Sequence, residues 1–367
     1  MISRNSRASS YTENHRIYVG SQVGALKEYD LSIETPYKPT NLQRISDLGP
    51  NEGITTLQWT NEEETEILVG KKNNIIRVYD LPTNSFTATR KLPDEGFPVG
   101  VFRIDEKFVT ASNTGQIYIL GSSDKKSTML TAGTDITRMR QCKEDAKMFA
   151  TGGKERKNNL KVWNIERESP VFTSKNVPHD NLQMEVPVWD SDLAFLDSNT
   201  LVTGSRYGYI RTYDIRKQRR PIHQFVPQEK EQMSFSCLTT FQNLVYVGLT
   251  TGGIRAFDTR SLKFPIHTYK GSIGSITDLV VDKSGKFLCS SSLERYIRIH
   301  STVNNSILYQ CYVKTKPSQV LIKSSTESKS TLNEVNGNEE EVEENSEEEV
   351  PNDKILKRLK RKRKFSN

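Results

Sequence analysis

The side chains best suited to acid–base chemistry near neutral pH are the five histidines, His15, His179, His223, His267 and His300. They are scattered through different parts of the chain. No Gly-x-Ser-x-Gly elbow, His-Glu-x-x-His helix or phosphate-cradling loop ending in Lys-Ser/Thr is present. The four cysteines, Cys142, Cys237, Cys289 and Cys311, form no Cys-x-x-Cys pair and have no histidine at metal-ligand spacing. Each lies in an apolar, strand-like run, as reduced core thiols of an intracellular protein do. Asp30, Asp80, Asp214 and Asp258 recur at one place, the end of such a run. A carboxylate there accepts backbone N–H groups of the following turn. These residue types predict no catalytic site, no metal, no cofactor and no small-molecule substrate.

What the aspartates terminate is a repeated hairpin. Residues 201–214 read LVTGSRYGYIRTYD, two apolar runs around a turn in which Gly208 supplies the positive φ of a tight hairpin. Arg206, Tyr207 and Arg211 stand around that glycine and read as parts of the regular unit. Related stretches span 17–30, 67–80, 108–121, 149–164, 245–258 and 288–301. The 149–164 copy carries a two-residue insertion in its turn. Hairpin ends are spaced by 50, 41, 43, 50, 44 and 43 residues. An apolar run precedes most hairpins and a weaker, more polar run follows each. Four short strands per ~40–45 residues is the signature of a β-propeller of WD type. The expected fold is therefore all-β, a seven-bladed WD-type propeller over 17–323. The first hairpin lacks an inner strand ahead of it, so residues 319–322 are expected to supply one and close the ring.

The remaining segments differ in composition. Residues 1–16 are polar, unlike a signal peptide, and no apolar run approaches the ~18–20 residues of a membrane span. Residues 324–353 are acidic without apolar periodicity and are expected to be a disordered linker. The last stretch, 354–367, is KILKRLKRKRKFSN. Its Lys357, Arg358, Lys360, Arg361, Lys362, Arg363 and Lys364 suit a nuclear signal, an RNA-contacting arm, or both. Apart from this two-signed tail the chain is basic, which favours an anionic partner such as nucleic acid, although a merely solvated surface is compatible with the same charge.

One insert departs from the repeat. Residues 174–190, SKNVPHDNLQMEVPVWD, lie between the fourth hairpin and the next inner strand. Long ordered loops on rigid scaffolds are where binding concentrates, and Trp and Met suit interface anchors. Lys175, Asn176, Asp180, Val186, Pro187 and Trp189 are the candidate partner-binding residues. The stretch 186–189 also suits packing on its own blade. Arg138, Arg140, Lys154, Arg156 and Lys157 are candidate polar or basic contacts.

At this insert the chain resembles a known family. KNVPHDNLQMEVPVWD is similar to the Lys-Asn-Val…Asp…Leu…Val-Pro-Val/Ile-Trp block of nucleolar WD-repeat proteins that assemble the large ribosomal subunit, the Nop-seven-associated WD family of yeast and its animal relatives. TGGKERKNNLKVWNI, RMRQC, SSLERYIRIHS and CYVKTKPSQVLI resemble further blocks of that family. Ser292 and Glu294 replace its usual Gly and Asp in the last blade. The resemblance implies a non-enzymatic scaffold on early pre-60S particles in the nucleus and nucleolus. It also implies contacts with assembly factors and pre-ribosomal RNA, release by a AAA-type ATPase, and a monomer within a large particle. A competing reading is a substrate adaptor of a ubiquitin ligase. Tyr213-Asp214-Ile215-Arg216 and Phe257-Asp258-Thr259-Arg260 have the aromatic-Asp-x-Arg form used by some WD adaptors, a weak signal since Asp-x-x after a strand is ordinary turn chemistry.

Overall fold

The computed structural model describes residues 5–32, 38–121, 127–180, 182–228 and 232–324. The tail with its acidic stretch and Lys357–Lys364 lies outside them. The described chain forms seven antiparallel sheets, six of four strands and one of five. Their innermost strands, in blade order, are Pro317–Lys323, Ile54–Trp59, Pro98–Ile104, Ile136–Gln141, Asp190–Phe195, Phe235–Phe241 and Ile276–Val281. Each of these packs against the next and the last against the first, so the ring is closed.

A lone blade leaves both faces of its sheet apolar, and stacking covers them. Seven hydrophobic clusters fill the seven junctions between neighbouring blades. Between blades one and two, for example, Tyr18, Leu26 and Leu321 pack on Ile54, Leu57, Ile67 and Val69. Between seven and one, Ile17, Val19, Val320 and Ile322 pack on Ile297, Ile299 and Tyr309. The blades approach closely. A Cβ on Gly20 or Gly248 would lie 2.8 Å and 2.7 Å from the Cγ2 of Ile54 and Ile276 in the following blade. This explains why the second strand so often reads apolar-apolar-Gly.

Each innermost strand carries a register shift at the same place, leaving residues 318, 55, 99, 137, 191, 236 and 277 unpaired in the ladder. Six of the seven are Ser or Thr and the exception is Val99. Four of the hydroxyls donate into the next blade. Ser318 reaches the Ile54 carbonyl at 2.6 Å, Thr55 the Pro98 carbonyl at 2.7 Å and Ser236 the Ile276 carbonyl at 2.6 Å, while Thr137 reaches that of Asp190. The bulge thus turns a side chain outward to bond the neighbouring sheet.

Closure joins the two ends of the ring. Pro317–Lys323 pairs antiparallel with Arg16–Ser21, so the first blade combines the latest strand of the described chain with early ones. The polar composition of residues 1–16 concealed a second tie. Ser6–Arg7 pairs with Tyr309 and Gln310 as a fifth strand on blade seven. Beyond it Tyr11 and His15 are buried, with the Tyr11 hydroxyl 2.8 Å from His15 Nδ1. Burial lowers the pKa of His15, which favours the neutral ring.

The repeated aspartates do what turn chemistry asks. Asp30, Asp80, Asp214 and Asp258 accept the backbone N–H of Ser32, Thr83, Arg216 and Arg260 at 2.8–3.1 Å. A chain ending at Thr315 would lack the closing strand, exposing the edge of Arg16–Ser21 and the first-blade face of two clusters. It should lose cooperative unfolding in denaturant titrations, whereas a chain ending at Ser324 keeps it. Equal, sharp transitions for both would contradict this.

Candidate interaction site

In each sheet the turn between second and third strands lies on one rim of the ring, with the connection entering the next blade. The other turns lie on the opposite rim. The loop of residues 174–189 enters blade five on the first rim, where it meets the inserted turn of blade four. That turn contains the 3-10 helix Arg156–Asn158. The insertion predicted from sequence and the candidate loop therefore form one platform.

Its bonds are local and specific. Asn159 donates to the Asn176 side-chain oxygen at 2.7 Å, and Asn176 donates to the Arg156 carbonyl at 3.3 Å. Arg156 pairs with Glu185 at 2.7 Å. The Glu155 N–H donates to the Val188 carbonyl at 3.0 Å. Asp180 folds the loop tip: its carboxylate accepts the Leu182 and Met184 N–H groups at 2.9 and 2.8 Å. This leaves Leu182 and Met184 projecting into solvent, 79% and 62% exposed. Lys157, Lys175 and Pro187 are exposed and Val186 is half-buried.

Trp189 sits at the root of the loop, half-buried. Lys154 Nζ lies 4.9 Å and Arg206 Cζ 5.9 Å from its ring centroid, and Tyr207 meets it edge-on at 6.3 Å. Each cation contributes about 0.5–1 kcal/mol in such an exposed setting. A cavity of about 400 Å³ opens beside the indole, lined among others by Arg138, Lys154, Arg206 and Asp135. Sequence reasoning set aside Arg206 and Tyr207 as turn residues of the regular unit. They are turn residues, and they also flank the loop, because the turn of blade five and the loop entering blade five end on the same rim.

The structure separates Arg140 from this group. Its guanidinium grips the fully buried Asp192 through two bonds, 3.1 and 2.9 Å long. Asp192 also accepts the Leu238 N–H at 3.2 Å, tying blades four, five and six together. Arg140 is thus engaged inside the ring, as a brace between blades. Arg138 lies beside the same carboxylate at 3.9 Å and still lines the cavity. Among the described residues no group of three His, Cys, Asp or Glu is arranged to hold a metal.

The comparisons with known proteins agree with the propeller fold. WD repeat-containing protein 74 of Mus musculus is 32% identical over 321 residues, covering 84% of this chain and 81% of the relative. The protein of the same name from Homo sapiens is 31% identical, with the same coverage. The chain belongs to the WD repeat-containing protein 74 family. Within this family group stands the ribosome biogenesis protein NSA1 of Yarrowia lipolytica, 24% identical over 83% of this chain and 87% of the relative. The WD domain, G-beta repeat, matches residues 263–301, which include the middle hairpin of blade seven. A computationally designed protein, Ika8, shares the fold with a TM-score of 0.58 at 15% identity, covering 85% of this chain and 92% of that one.

Next to this platform lies a buried acid. Asp190 is buried, and burial pushes its carboxyl from 3.8 up to about 7 against the opposing pull of Arg211. Between those values the folded chain holds a proton that the unfolded chain has released. Stability from Asp190 is therefore complete below about pH 4 and lost as pH rises through about 7. Asp190→Asn should remove this dependence. Its melting temperature relative to the parent should rise between pH 5 and pH 8, and a constant difference across that range would refute the assignment.

Proposed function

We propose that the chain is a non-enzymatic scaffold of ribosome biogenesis, holding assembly factors on large-subunit precursors. The observation that carries the reading is likeness to WD repeat-containing protein 74 over 84% of the chain. Relatives named ribosome biogenesis protein support the process. The ring supplies a rigid frame. The loop 174–189 supplies what a partner needs: exposed Leu182 and Met184, a turn fixed by Asp180, and Trp189 in contact with two cations. Assembly on early pre-60S particles, residence in the nucleolus, contact with pre-ribosomal RNA and release by a AAA-type ATPase are the finer parts of this proposal. The basic stretch Lys357–Lys364 is proposed as its nuclear signal or RNA arm.

The ligase-adaptor reading loses support from its own motif. Arg216 and Arg260 fold back on Asp214 and Asp258, at 3.3 and 2.6 Å, within their turns. These arginines hold both carboxyls below the usual carboxylate range.

Purification of the tagged full chain tests the proposal. It should recover large-subunit precursor RNA and assembly factors. Trp189→Ala combined with Met184→Ala should cut that recovery at least several-fold while leaving the melting temperature within about 2 °C. Recovery of ligase core subunits without ribosomal RNA would overturn the reading.

A further inference from the structure

On the same rim, at the seam where the ring closes, lies a larger cleft of about 720 Å³. Three blades build it. Blade one contributes Gln22, Val23 and the approach to its closing strand, blade two Gly53 to Thr55 and Lys72, and blade seven Arg295. Among the described residues its charged lining is Lys72, Arg295, Lys314 and Lys316, with no acid. All four cations are exposed.

Two of the four are held in a conformation that favours other residues. In the ordinary hairpin turns of this rim the fourth position has positive φ, filled by Gly24, Asn74, Gly115, Gly208 and Gly252 at +65° to +101°. Blade seven places Arg295 there, at φ +70°. Lys314 has φ +64°. A side chain with a Cβ costs about 1 kcal/mol in this region, where glycine or asparagine costs little. Arginine therefore stands where the fold asks for glycine. Nearby, Lys27 donates to the Val313 carbonyl at 3.3 Å. Burial, and after it the charge of Lys314, lower the pKa of Lys27. The seam concentrates positive charge at a cost to the folded protein.

We propose that this seam cleft binds the phosphodiester backbone of single-stranded RNA, with Lys72, Arg295, Lys314 and Lys316 as phosphate contacts. A concave cleft walled by cations follows a single strand, whereas a duplex presents a convex backbone. An acidic peptide is the less favoured occupant. Such a peptide would need an apolar anchor pocket for affinity, and among the described lining residues only Val23 is an exposed large hydrophobe. The inference rests on the ribosome-assembly reading for the presence of RNA, and on the cleft alone for the chemistry.

The test is fluorescence anisotropy of the full chain with a labelled, mixed-sequence single-stranded RNA, titrated at several salt concentrations. The basic tail is present in every variant, so differences report the ring. Each lost phosphate contact lowers the slope of log K against log salt by about 0.7. Lys72→Gln/Lys314→Gln/Lys316→Gln should reduce the slope by about 2. Lys143→Gln/Lys263→Gln/Lys286→Gln, on turns of the opposite rim, should leave it unchanged. Arg295→Asn should reduce it by about 0.7 while its melting temperature stays level or rises, separating lost contact from lost fold. Equal losses in the two triple variants, no loss in the seam variants, or equal affinity for a duplex of the same length would overturn the proposal. So would displacement of the RNA by polyglutamate at matched charge concentration with the same seam dependence. Any of these results with normal recovery of large-subunit precursors would remove the seam site and leave the scaffold reading standing.

Discussion

The structure depends on one pairing, that of Pro317–Lys323 with Arg16–Ser21. Every other blade builds its four main strands from consecutive chain, so those hydrogen bonds form locally. The first blade needs partners about 300 residues apart. Without this pairing the ring has two open edges and two junction clusters lose a wall, since Val320 and Ile322 face blade seven and Leu321 faces blade two. Ser318 adds the bond to the Ile54 carbonyl that links the closing strand to the second blade. The N-terminal strand Ser6–Arg7 then covers the outer edge of blade seven. Both termini of the folded part are spent on holding the ring shut.

A closed ring of near-identical blades is rigid and, taken alone, nonspecific. Its regular parts are occupied with each other: glycines admit the neighbouring blade, bulge hydroxyls bond across junctions, aspartates close turns, and Arg140 is held by Asp192. In the proposed reading, binding chemistry is left to the positions that break the pattern. The inserted turn of blade four and the loop 174–189 make one such place, with an exposed hydrophobic tip and Trp189 at its root. The left-handed Arg295 and the seam lysines make the other. Both lie on the rim that carries the connections entering successive blades, because that is where extra length can be added without disturbing a ladder. The separation suits a scaffold that must hold more than one component at once.

Much of the fold was legible in the sequence. Hairpin spacing gave seven blades, and the missing inner strand of the first pointed to residues 319–322. Those signals are strong because each strand repeats in type and position. The loop 174–189 stood out for the same reason, as a break in the period. The misses share a cause in three-dimensional adjacency. Arg140 looked like a surface cation because the sequence places Asp192 some fifty residues away, on another blade. Arg206 and Tyr207 looked like ordinary turn residues because nothing local says that the preceding loop folds back beside them. The strand at Ser6–Arg7 was hidden by polar composition, since an edge strand is held by backbone bonds and needs few apolar side chains.

In the proposed function a rigid, closed ring presents loop 174–189 to a large-subunit precursor. Hydrogen exchange of the full chain, free and within the purified particle, tests this most directly. Exchange in 317–323 should be slow in both states, and 174–189 and 154–157 should gain protection within the particle. Unchanged exchange in the loop, or fast exchange in the closing strand of the free protein, would contradict it.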